Sequence, residues 1–124
     1  PTRRLFRSEI AWMGETEAQL AARGADYERA AFPWAASGRA LSMDRDEGMT
    51  KLLFDKSTHR LLGAAIVGVN AGELIAETVL ALEMGADAAD IGFTVHPHPT
   101  LSETVFFAAE IAEGSITDLY MPRK

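Results

Sequence analysis

No cysteine occurs anywhere in the chain. Disulfide staples, thiolate nucleophiles and thiolate metal ligands are therefore excluded from its own chemistry. No apolar run approaches the roughly 20 residues that a membrane-spanning helix needs. Neither G-x-G-x-x-G nor G-x-x-x-x-G-K-S/T is present, so neither common phosphate-cradling loop is encoded. Basic residues are in the minority, with 12 Lys and Arg against 18 Asp and Glu, a net charge of −6. The two signs are mixed along the chain, which leaves no basic stripe for nucleic acid and no basic face for an anionic membrane. The opening Pro1-Thr2-Arg3-Arg4-Leu5-Phe6-Arg7 is basic but lacks the apolar stretch of a signal peptide. With no export signal visible, a cytoplasmic protein is expected. No Met opens the chain, which fits processing and a continuation within a longer protein equally.

What is there suffices for one domain. Hydrophobic residues make up 48% of the 124, enough to bury a single core rather than remain disordered. Ser8 to Met13 reads as a short strand, and Thr16 to Arg23 as a helix stopped by Gly24. Tyr27 to Trp34 reads as an extended edge whose pairing Pro33 limits. Ala35 to Arg39 is a small-residue loop, and Ala40 to Met43 a short extended piece. Gly48 to Asp55 and Leu61 to Val69 are strong strands. The turn chemistry of Lys56-Ser57-Thr58-His59 between them dictates an antiparallel hairpin, because so short a link cannot cross over to a parallel neighbour. Asn70 is placed as the cap of a helix over Ala71 to Met84 that Gly85 ends, and Asp87 as the cap of a short helix to Phe93. Ser102 to Ala112 is the last helix, Gly114 its stop, and Ser115 to Lys124 a polar tail. Strands come first and helices later, which predicts an α+β fold: an antiparallel sheet of about five strands with helices packed on one face.

The segment richest in chemistry is His96-Pro97-His98-Pro99-Thr100-Leu101-Ser102-Glu103. It sets an imidazole, His98, five positions before a carboxylate, Glu103, at a helix entry. Histidine changes charge near neutral pH, and a neighbouring carboxylate fixes its tautomer and stabilises the imidazolium. The same residues also have a purely structural reading. Thr100 to Glu103 has the S/T-x-x-E form of a capping box, which would leave Glu103 serving the helix end and His98 an ordinary loop residue. Pro97 and Pro99 stiffen the backbone that carries His98. His96 and His98 have the i, i+2 spacing of a metal pair, but no cysteine or nearby aspartate completes a site, so no metal is assigned. His59 falls in the hairpin turn and is placed in solvent. Gly68-Val69-Asn70-Ala71-Gly72 joins a strand to a helix, where tight turning and capping explain it better than phosphate binding. Trp12, Phe32, Trp34, Phe106 and Phe107 are too many to hide easily in a small core, so part of the set is expected to face a partner surface. Phe106 and Phe107, adjacent on one helix, cannot both point inward.

Taken together, these blocks resemble the C-terminal interface (dimerisation) domain of the pyridine nucleotide–disulfide oxidoreductases, and within that family the dihydrolipoamide dehydrogenase branch. The resemblance runs from about Ser8 to Tyr120. It rests on Glu9-Ile10-Ala11-Trp12, Phe32 to Ala40, Gly48 to Leu52, Gly63 to Gly68, Asn70 to Glu77, His96 to Glu103 and Glu113 to Leu119, in that order. It implies a homodimeric flavoenzyme whose FAD and NAD domains and redox-active cysteine pair lie earlier in the polypeptide, outside this chain. His98 would be the base that deprotonates a dithiol in the partner subunit's active site, held and polarised by Glu103, with a cis His98–Pro99 bond. No cofactor would be bound by this chain alone, which by itself would be inactive. The substrate would be the lipoyl group of a 2-oxo acid dehydrogenase complex acyltransferase. Leu101, where glutathione- and trypanothione-type relatives usually carry Ser or Ala, tilts the pattern that way. Two departures stand out: Pro97 replaces a common Ala, and Arg3 to Arg7 do not match the usual lead-in. An interface domain of another flavin disulfide reductase, of glutathione- or mercuric-reductase type, and a free-standing dimerisation module without catalysis remain the alternatives.

Overall fold

A computed structural model describes residues 7–117 and 119–121. The basic lead-in at residues 1–6, Asp118 and the end of the polar tail lie outside the described residues. Four strands form one antiparallel sheet: β1 (Ser8–Gly14), β2 (Tyr27–Pro33), β3 (Met49–Asp55) and β4 (Leu61–Val69), in the spatial order β1-β4-β3-β2. The helices are α1 (Glu17–Ala22), α2 (Gly38–Ser42), α3 (Ala71–Glu83), α4 (Ala88–Phe93) and α5 (Glu103–Glu113). The α+β architecture is the one the order of elements predicts, with four strands in place of about five.

The missing strand has a local cause. Ala40 to Met43, read from sequence as extended, instead forms the end of α2, with Met43 as its C-cap. Ser37 caps that helix by accepting the Ala40 N–H at 3.2 Å, and Ala40 is fully buried. A short Ser-capped turn satisfies backbone groups that a strand would have had to pair elsewhere. The Ala35 to Arg39 loop likewise contains a single 3₁₀ turn over Trp34–Ala36. The hairpin lies as predicted: Met49 stands opposite Val67 and Leu52 opposite Ala64. Asp55 closes its turn by accepting the N–H groups of Ser57 and Thr58, each at 2.8 Å, and these bonds hold its carboxyl below the usual aspartate value. His59 takes a positive φ of 61° and stays half-exposed, 3.7 Å from Glu113. β2 is an edge strand, with Pro33 at its last position.

Strand alternation divides the sheet into two faces. Ala30, Phe32, Thr50, Leu52, Ala64 and Ile66 point to the inner face and are buried there, with Phe107, Val105 and Ala108 of α5 in the same core. The outer face is only partly covered. Over its β2–β3 half lies α1, whose Glu17 accepts from Lys51 Nζ at 2.9 Å and stands 3.6 Å from Arg29. The rest is open: Ile10 is 71% exposed and Trp12 65%.

The hydrogen bond from Lys51 holds the Glu17 carboxyl below its ordinary value of 4.5, with the nearby Arg29 charge adding to the effect. A carboxyl lowered on folding stabilises the fold above its unfolded value, and that contribution is lost as pH falls through the folded one. For a partly exposed pair it amounts to about 0.5–1 kcal/mol. Lys51→Met should therefore lower the urea midpoint near neutral pH and lower it less at an acid pH beneath the folded Glu17 value, where the carboxyl is protonated. An equal loss at both pH values would assign the effect to packing of the lysine stem instead.

Candidate active site in the loop between the last two helices

The His-Pro segment lies in the loop that links α4 to α5. Its far end is anchored from the core. The buried Trp34 indole N–H donates to Thr50 Oγ1 at 3.0 Å. Thr50 and Thr104 hydroxyls are 2.8 Å apart, and Thr104 Oγ1 donates to the Leu101 carbonyl at 2.7 Å. Because Thr104 spends its proton on Leu101, Thr50 must donate to Thr104, so the bonds run head to tail from sheet to loop. They fix the first turn of α5, and with it Glu103.

Glu103 is 6% exposed, yet its carboxylate is fully engaged. Oε1 accepts the Thr100 N–H at 2.8 Å, and both oxygens lie 3.0 Å from Nδ1 of His98. One side chain thus makes both contacts, to the helix-entry N–H and to the His98 ring. The capping box itself is only half made. Ser102, not Thr100, precedes the helix and makes no side-chain cap, while the Thr100 hydroxyl donates to the Pro97 carbonyl at 2.7 Å. The His98–Pro99 bond is cis.

The His98 side chain is 77% exposed. With the carboxylate accepting at Nδ1, that nitrogen carries the ring proton, and Nε2 presents its lone pair outward with no partner among the described residues. An exposed imidazole nitrogen backed by a buried carboxylate is equipped to take a proton from an incoming group and hold it as a stabilised imidazolium. His96 and His98 do not form a metal pair. His96 turns inward to Glu77 Oε2, which lies 2.5 Å from its Nε2, whereas His98 turns outward from Glu103. Sequence reading missed the Glu77 partnership, since 19 residues of separation carry no local signal.

The turn at Gly68 to Gly72 does not cradle a phosphate. Asn70 stands at the predicted N-cap of α3 with a positive φ of 64°, but its side chain makes no capping bond, and its carbonyl accepts the Glu73 and Leu74 N–H groups. A Cβ on Gly72 would lie 2.9 Å from the Glu9 carboxylate, so the entry to α3 already faces an anion of this chain. These residues do not fit a bound dinucleotide. Of the aromatics, Phe32 and Trp34 are fully buried, Phe107 nearly so, Phe106 is half-buried and Trp12 is exposed.

The family model of the pyridine nucleotide-disulphide oxidoreductase dimerisation domain matches residues 1–109. The dihydrolipoyl dehydrogenases of Vibrio parahaemolyticus and Haemophilus influenzae are each 62% identical over 111 residues, 90% of this chain and 23% of theirs. The mitochondrial dihydrolipoyl dehydrogenase of Caenorhabditis elegans is 50% identical over 95 residues, 77% of this chain and 19% of its own. The chain thus spans less than a quarter of the length of these relatives. Among solved structures, the flavoprotein disulfide reductase RclA from Escherichia coli superposes with a TM-score of 0.78 at 28% identity over 82% of this chain and 23% of that one. LpdA from Mycobacterium tuberculosis shares the fold with a TM-score of 0.79 at 23% identity, over 83% of this chain and 22% of its own. With a buried-carboxylate histidine on an antiparallel α+β domain and these likenesses over nearly its whole length, the chain belongs to the pyridine nucleotide-disulphide oxidoreductase dimerisation domain family.

Proposed function

We propose that this chain is the C-terminal interface domain of a cytoplasmic dihydrolipoamide dehydrogenase, and that it supplies His98 and Glu103 to the active site of the partner subunit in a homodimer. The observation that carries this reading is the exposed Nε2 of His98 backed by the buried Glu103 carboxylate. Likeness at 62% identity to dihydrolipoyl dehydrogenases favours this substrate over the broader class to which RclA belongs.

The chemistry follows from what a dithiol needs. The thiolate, not the thiol, attacks a disulfide. One thiol of dihydrolipoamide, presented on the acyltransferase of a 2-oxo acid dehydrogenase complex, gives its proton to Nε2. The resulting thiolate attacks a cysteine disulfide held elsewhere in the enzyme and forms a mixed disulfide. The second thiol passes its proton to the cysteine thiolate freed in that step, attacks the lipoyl sulfur of the mixed disulfide to close the ring, and expels the other cysteine as a thiolate, so that both cysteines are reduced. FAD and NAD, held by other parts of the polypeptide, would carry the two electrons onward. Exposed apolar residues on two surfaces of the domain, Ile10 and Trp12 on the sheet and Leu80, Met84, Phe93 and Val95 near α3 and α4, support burial against a second subunit and neighbouring domains.

Glu103→Gln in the full-length enzyme tests the pair. Glutamine keeps an acceptor for the Thr100 N–H but has no charge to stabilise the imidazolium. Loss of a charge-assisted bond of about 1.5–3 kcal/mol should slow dihydrolipoamide oxidation roughly 10- to 100-fold while the fold stays intact. An unchanged rate would leave Glu103 with the helix end alone.

A further inference from the structure

His96 stands two residues before His98 in the same loop, and its environment is the opposite one. Its side chain is 6% exposed. Nδ1 lies 2.8 Å from the Thr94 carbonyl at the start of the loop, and Nε2 lies 2.5 Å from Glu77 Oε2 on α3. The ring stacks on Phe106 of α5, with centroids 5.0 Å apart and planes 21° from parallel. Phe106 in turn meets Phe107 at 4.4 Å, and Phe107 meets the fully buried Phe32 at 4.9 Å. A row of rings thus runs from the loop to the inner face of the sheet.

Both ring nitrogens of His96 face acceptors. The ring is therefore bonded at both nitrogens, to the Thr94 carbonyl at one and to the Glu77 carboxyl at the other. A buried ring bonded at both nitrogens and stacked on an aromatic face holds its position, because any displacement leaves buried polar atoms without partners. The loop is therefore pinned at two points. Glu103 ties it to α5 at His98, and Glu77 ties it to α3 at His96. Only the first of these touches the exposed imidazole.

We propose that His96 and Glu77 form a positioning pair, which holds the loop so that Nε2 of His98 meets the incoming thiol in line. The pair contacts no substrate; it acts through the backbone between His96 and His98. This inference rests on the reading of His98 as the base and deepens it. Preorganisation of this kind matters because a misplacement of about 1 Å at a reacting group can cost on the order of 100-fold in rate.

The test uses the full-length enzyme and separates its two half-reactions by rapid mixing: reduction by dihydrolipoamide, in which His98 acts, and reoxidation by NAD, in which it does not. Glu77→Ala should slow the dithiol half-reaction about tenfold or more and leave reoxidation unchanged. Glu77→Gln should restore the rate to within a few-fold, because the amide N–H can donate to the Nε2 of a neutral His96 while Nδ1 still donates to Thr94. A dithiol half-reaction within twofold of the unmodified enzyme in Glu77→Ala would overturn the proposal. So would equal slowing of both half-reactions, which marks a merely structural role. If Glu77→Ala does not fold, Glu77→Asp decides, since it keeps the charge and withdraws it by one methylene: a slowed dithiol half-reaction sustains the proposal and an unchanged one sinks it. His98→Ala run beside these variants keeps the two readings apart. Near-normal turnover there removes His98 as the base, whatever Glu77 does. Abolished turnover there with an unaffected Glu77→Ala removes only the positioning role.

Discussion

Under the proposed function, replacing His98 by alanine in the full-length enzyme is expected to lower turnover with dihydrolipoamide by about 10²- to 10⁴-fold, the usual contribution of a positioned general base. The effect should fall on the chemical step. His98 stands 77% exposed, so its truncation removes little packing; the lost bond to the buried Glu103 carboxylate should cost about 1.5–3 kcal/mol, which leaves the domain folded. Flavin content and the NAD-dependent half-reaction should stay normal. Loss of rate with normal flavin content separates a missing base from a damaged fold. Among the described residues no other imidazole can substitute: His96 is turned inward to Glu77, and His59 lies in the β3–β4 turn, beside Glu113. Turnover within a few-fold of the unmodified enzyme would remove His98 from the mechanism and leave the domain a purely structural part of its parent.

The second large effect is expected at Gly68, far from the loop in sequence. Gly68 has a φ of +146°, and a Cβ there would lie 2.5 Å from Cζ3 of the buried Trp34 ring. Gly48 lies under the same indole, where a Cβ would come within 2.6 Å of it. The two glycines let Trp34 sit directly on backbone. Gly68→Ala combines an unfavourable backbone conformation with overpacking, for a loss of about 2–6 kcal/mol. That is a large part of the roughly 5–15 kcal/mol available to a domain. The damage should also reach the candidate site, because a displaced Trp34 releases the Thr50–Thr104–Leu101 bonds that fix the start of α5. Denaturant unfolding followed by tryptophan fluorescence measures the loss. Gly24→Ala is the control: its φ is +66°, but a Cβ there meets nothing within 4 Å, so only the conformational part, about 1 kcal/mol, should appear. Equal midpoints for the two variants would show that Trp34 relaxes away from the added methyl at no cost.

Much of the fold was legible because its signals are local. The β3–β4 hairpin follows from two apolar strands and a four-residue turn, and α4 from Asp87, which forms a complete capping box with Asp90. The segment at Ala40 was misread because small residues carry weak preferences, and a single Ser37 cap sufficed to turn it into helix. The side chain of Asn70 was assigned a cap that the left-handed backbone at that residue removes from reach. At the candidate site, the i, i+5 spacing of His98 and Glu103 suggested that the two side chains meet, as they do, but spacing could not choose between a cap and a catalytic partner. In the structure one buried carboxylate bonds the Thr100 N–H and the His98 ring together, which fits both readings.

The sequence by itself determined the α+β class, the antiparallel hairpin, the family and the residues that carry its signature. These depend on periodicity, turn chemistry and ordered blocks, all of which are written along the chain. Tertiary structure alone decided the opposite fates of the two histidines, His96 buried against Glu77 and His98 open beyond Glu103, and the tie of α5 to Trp34 through Thr50 and Thr104. The physical reason is that burial and hydrogen-bond partnership across 19 or 54 residues arise only when helices close on the sheet. Two histidines of identical intrinsic chemistry then acquire different surroundings from the carboxylates that packing places beside them.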